Sequence, residues 1–129
     1  MRSEELERDF FVAAVRFQDT DPEKANRFIE RVRTRLRKGA TEYGDLAFRD
    51  KPITELISEA KEEGEDVPAW LALASQVLED DEALSETDRE HMMRYLIAAS
   101  AAALEVWSIL DQAAEFYEDQ TRQHLTASV

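Results

Sequence analysis

The chain has 129 residues, 16 of them Lys or Arg and 29 Asp or Glu, for a net charge of −13. It has no cysteine, which excludes disulfides and thiolate metal sites and fits a reducing, cytoplasmic setting. Such an acidic chain cannot neutralise phosphates in bulk, so direct nucleic-acid binding is not expected.

The charge is unevenly placed. Residues 1–50 carry eleven basic and eleven acidic side chains, whereas residues 51–129 carry five and eighteen, so the whole −13 lies in the second part. A surface of this kind suits bound cations or a basic protein partner. One helical domain spanning 1–129 is expected, built from a charge-balanced helical hairpin over 1–50 and acidic helices over 51–129. No apolar run approaches the roughly 20 residues of a membrane span. The acidic start MRSEELERDFF carries no secretion signal, so no membrane association is expected.

Three glycines and three prolines leave little turn material for a sheet, and helical periodicity runs almost everywhere. A first helix is predicted over about Ser3–Gln18, with Phe10, Phe11, Ala14 and Phe17 near one side. Asp21 and Pro22 suit the cap and first turn of a second. That helix would bury Ala25, Phe28, Ile29, Val32 and Leu36, show an arginine-rich face and end at Gly39. The arginines would either pair with the acidic part of the chain or grip phosphates.

The segment ATEYGDLAFRDK reads as a loop anchored by Tyr43 and Phe48. Pro52 then opens a third helix with the stripe Ile53, Leu56, Ile57 and Ala60. Gly64 and Pro68 predict a kink or break, because an interior proline loses a hydrogen bond and costs about 3 kcal/mol. Helix should resume through Trp70, Leu71, Leu73, Ala74, Val77 and Leu78. After the linker EDDEALSETD, Ser85 and Asp88 form a capping-box pattern. A last helix runs from Glu86 to about Gln123, with a stripe that includes Met93, Leu96, Ile97, Leu104, Trp107 and Leu110. The fold class is therefore all-α, a four- or five-helix bundle with a long C-terminal helix.

The third helix carries the most distinctive stretch, ISEAKEEGED, with five carboxylates in ten positions. At about 100° per residue with Ile53 at zero, Glu62, Asp66, Glu59 and Glu63 lie near 180°, 220°, 240° and 280°. Like charges at i, i+4 destabilise a helix, and a hard cation such as Mg²⁺ reverses that sign. A solvated acidic face is the plainer explanation of the same spacing.

These residues also carry a resemblance. A basic helix ending in Gly39-Ala40, then Tyr43-Gly44-Asp45, an aromatic and a proline, resembles a pattern of small phage and actinobacterial proteins. The E-x-x-E-E-x-x-D-V helix that follows is similar to the acidic helix of MazG-like all-α nucleotide pyrophosphohydrolases. The resemblance covers about residues 35–78. It implies a Mg²⁺-dependent hydrolase of nucleoside triphosphates, or a degenerate nucleotide-binding relative, assembled as a homodimer. Glu59, Glu62, Glu63 and Asp66 would then hold Mg²⁺, with Glu59 and Glu63 catalytic and Arg35 and Lys38 toward the phosphates. A second acidic helix is also implied, usually upstream, where Glu4-x-x-Glu7 is the match; downstream, Glu115 and Glu118 give the same spacing, with Asp111 one turn earlier. The rival expectation is a non-catalytic acidic protein of the phage-encoded kind that docks a basic partner or mimics nucleic-acid charge.

Overall fold

The computed structural model describes Phe10 and residues 12–14, 21–43 and 51–127. The fold is all-α in the helical-bundle class, with the expected long C-terminal helix. Three bounded helices follow in order: α1 (Pro22–Tyr43), α2 (Ile53–Glu79) and α3 (Glu86–Ala127). Phe10 and residues 12–14 are helical as well; the rest of the expected first helix, and Gly44 to Asp50 of the expected loop, lie outside the described residues. The chain separates into two compact units, 1–50 and 51–129, at the point where the charge balance changes.

In the first unit, α1 begins as its sequence dictates. The Glu23 amide donates to Asp21 Oδ1 at 3.0 Å, and the Ala25 amide donates to the Asp21 carbonyl at 2.9 Å. Pro22 sits at the first helical position, where no amide is needed. Ala25 is buried, Ile29 and Val32 are half-buried, and Phe28 and Leu36 are exposed. Gly39 does not end the helix, which continues to Tyr43 and takes in the start of the expected loop. A glycine in a helix interior costs only about 1 kcal/mol relative to alanine, which helix formers on either side can outweigh.

In the second unit, α2 and α3 form an antiparallel hairpin closed by the short segment Asp80–Ser85. The Asp80 and Asp81 amides donate to the Val77 and Leu78 carbonyls, both at 3.2 Å, which tightens the last turn of α2. The Ala83 amide donates to Asp81 Oδ1 at 2.9 Å. The Asp88 amide donates to Ser85 Oγ at 3.1 Å, so Ser85 caps α3 as its sequence predicts.

The expected break at Gly64–Pro68 does not occur, and α2 is helical throughout Ile53–Glu79. The physical reason lies in the spacing of the covered positions. On α2 they are Thr54, Ile57, Lys61, Gly64, Pro68, Leu71, Ser75 and Leu78, with Leu56 beside them. On α3 they include Arg89, Met93, Leu96, Ser100, Ala103, Trp107, Leu110 and Ala114. Both series step by three and four without a slip, the spacing of a coiled-coil seam. Packing along the whole seam holds α2 helical across the one amide that Pro68 lacks.

The register is set by two contacts. Lys61 Nζ lies 2.7 Å from Asp111 Oδ1, and Trp107 Nε1 donates to Glu65 Oε2 at 2.8 Å. Lys61 Nζ also sits 4.3 Å from the centroid of the Trp107 ring, in cation–π geometry. At 1.5 Å per residue α2 is about 40 Å long and α3 about 63 Å, so the last turns of α3 run past the start of α2.

Candidate functional site

The seam direction decides where the acidic residues point. On the angular scale used above, the seam of α2 centres near 40°. The Glu59, Glu62, Glu63 and Asp66 arc centres near 230°, on the side of α2 turned away from α3. All four side chains are exposed. Glu59 accepts a hydrogen bond from Lys51 Nζ at 3.0 Å in a pair exposed on both sides. Glu65 points elsewhere, to Trp107.

The hairpin therefore does not bring the α2 carboxylates together with those of α3. Among the described residues no group of three or more His, Asp or Glu side chains is arranged to hold a metal ion. A Mg²⁺ at Glu59, Glu63 and Asp66 would take its remaining oxygen ligands from water, from a bound phosphate or from another chain. Arg35 and Lys38 are both exposed on α1 in the first unit. In the same helix Arg33 Nη1 lies 3.4 Å from Glu30 Oε1, one turn away.

Acidic residues do line a different place. At the open end of the hairpin, a cleft of about 250 Å³ is bordered by Thr54, Ser58 and Lys61 from α2 and by Asp111, Glu115 and Glu118 from α3. The two elements place them there by register, since the Lys61–Asp111 pair forms the inner wall of the cleft. Spacing in the sequence marks the α3 acids; only the register shows that Lys61 and Ser58 face them.

The second unit also shows much apolar surface. Trp70 and Val77 on α2, and Phe116 and Leu125 on α3, are each exposed by about two-thirds or more. Among the described residues, only Ala25, Leu78 and Ala103 are buried hydrophobics. The α3 segment Glu86–Leu125 is long and apolar enough to cross a membrane by length and composition, with mean hydropathy 1.3 over an 18-residue window. The expectation that no segment approaches a span is corrected to that extent. Glu105 interrupts the apolar run in the sequence, yet the apolar residues around it occupy several faces of the helix. No family model, curated protein or solved structure matches the chain.

Proposed function

We propose that this chain is a non-catalytic interaction protein, whose acidic α2 face docks a basic partner. The observation that carries this reading is the direction of Glu59, Glu62, Glu63 and Asp66. They point away from α3, the other acidic helix of the hairpin, and they are exposed. Four exposed carboxylates along about two turns offer a charged strip to Lys or Arg side chains. Attraction of this kind raises association rates at low salt and weakens as salt is added.

The second reading is the Mg²⁺-dependent nucleotide pyrophosphohydrolase, active or degenerate. The cleft beside Lys61 favours it, because Asp111, Glu115 and Glu118 border a space large enough for a small ligand. Mg²⁺ there would hold phosphate oxygens and lower the pKa of a bound water, and a free carboxylate would accept the proton.

Calorimetric titration of the full chain separates the two readings. One arm uses oligolysine at low and high salt, and the other uses Mg²⁺ with nucleoside triphosphates, with pyrophosphate release assayed alongside. The combined variant Glu59→Gln, Glu62→Gln, Glu63→Gln, Asp66→Asn removes the strip, and a control neutralises Glu86, Asp88, Glu90 and Glu118 instead. We expect salt-sensitive oligolysine binding that the first variant weakens much more than the control. Equal weakening by both variants contradicts a dedicated strip. Mg²⁺-dependent pyrophosphate release establishes the enzyme.

A further inference from the structure

The apolar residues exposed on the hairpin have a pattern. On α2, the positions one residue before each seam position include Ile53, Val67, Trp70 and Val77, with Ala60 and Ala74 between them. The same row on α3 holds Met92, Tyr95, Val106, Ile109 and Phe116, spaced by Ala99, Ala102 and Ala113. Each row steps by three and four like the seam and is turned from it by about 100°. Along both rows the charged side chains are Glu63 and, at the start of α3, Asp88. In an antiparallel pair, positions preceding the seam on the two helices flank the same side of it. The two rows therefore form one continuous apolar face, two helices wide.

We infer that this face binds a second copy of the same face, so that two hairpins close into an antiparallel four-helix bundle. Three observations select that occupant. First, helices at the corners of a square bundle meet two neighbours at about 90°, close to the offset between seam and row. A single third helix, from any source, would require contacts about 60° apart on each helix, as in a three-helix bundle.

Second, the nine large side chains expose on the order of 1,000 Å² per copy, against the roughly 800 Å² per partner of a standard-size interface. Third, the face carries little charge, and a self-complementary patch is what an isologous dimer requires. A bilayer is the weaker fit, since a spanning α3 would bury Glu105 and strip Asp111 from Lys61. In the bundle α2 of one copy lies against α3 of the other, which keeps the acidic stretch 59–66 off its own counterpart. Glu62, Asp66 and Glu59 stay outward, so three of the four carboxylates of the proposed partner strip remain open, and Glu63 lies at the interface.

The test is the molar mass of the full chain by sedimentation equilibrium, with vesicle flotation alongside. The wild type should weigh twice its 14.8 kDa. Trp70→Glu combined with Ile109→Glu should halve that mass, with helical circular dichroism as the check on folding. Ala72→Glu, on the opposite side of α2, should not. Glu63→Leu should tighten the dimer, shifting dissociation on dilution to lower concentration. A wild type that stays monomeric at the highest soluble concentration, or that floats with vesicles, overturns the proposal whether or not the double variant folds. Oligolysine binding is read separately, so the two proposals fail independently.

Discussion

At Lys61 three interactions meet in one half-buried place: the ion pair with Asp111, the face of Trp107, and the wall of the cleft. Both charges keep contact with water, so the pair should contribute about 0.5–1 kcal/mol and weaken with salt. A double-mutant cycle with Lys61→Met and Asp111→Asn in urea titrations measures this, and a coupling near zero would remove the pair as a determinant of register. Gly64 gives a sharper expectation. It lies mid-helix, and a Cβ added there meets nothing within 4 Å. Gly64→Ala should therefore raise stability by about 1 kcal/mol through helix propensity alone. A loss of stability would mean that the hairpin closes more tightly at Gly64 than its open surroundings indicate.

These positions also mark the limit of what the residues disclose by themselves. Met93, Leu96, Trp107 and Leu110 are apolar, and their place in the seam was legible from spacing. Lys61, Gly64, Pro68, Ser75 and Ser100 occupy the same seam but lack the apolar character that a search for stripes relies on. Ile97 and Leu104 have that character and are exposed. The strict three-four step through the polar positions was the signal for the seam, and apolarity alone blurred it.

At the scale of elements, the starts of α1 and α3 follow from their capping residues, Asp21 and Ser85. The ends were less legible, because propensity near Gly39 and Pro68 is a local quantity and continuation is decided by neighbouring turns and by packing. Pro68 shows the competition directly: it removes one amide from α2, and the helix persists. Pro68→Ala restores a donor for the Gly64 carbonyl and removes the ring clash, at the loss of some half-buried apolar surface. A gain of about 1–3 kcal/mol is expected by thermal or urea unfolding. A destabilised variant would show that the proline ring is itself part of the seam packing. The acidic strip was legible as an arc on one helix, but its direction relative to α3 required the register of the hairpin.

At the scale of the whole molecule, the second unit has more apolar surface than a two-helix hairpin covers. Isolated pairs of helices gain too little burial to stand alone at ordinary stability. A second layer of helices would supply the missing burial, and in the proposed dimer a second copy would supply it at the right angle and area. In that proposed dimer the acidic residues Glu59, Glu62 and Asp66 would form part of the outer surface of the bundle. The sequence stripes held Ile53, Ala60, Trp70, Ala74 and Val77 of that face but none of its large α3 residues, Met92, Tyr95, Val106, Ile109 and Phe116. A stripe does not say which part faces the hairpin partner and which part faces elsewhere.

The most direct test of this account is the thermal midpoint of the full chain followed over a wide range of protein concentration. Folding coupled to pairing makes the midpoint rise steadily with concentration, because mass action favours the dimer. A midpoint that does not move, with a single cooperative transition, would contradict the claim that the exposed face of the hairpin is completed by a second copy.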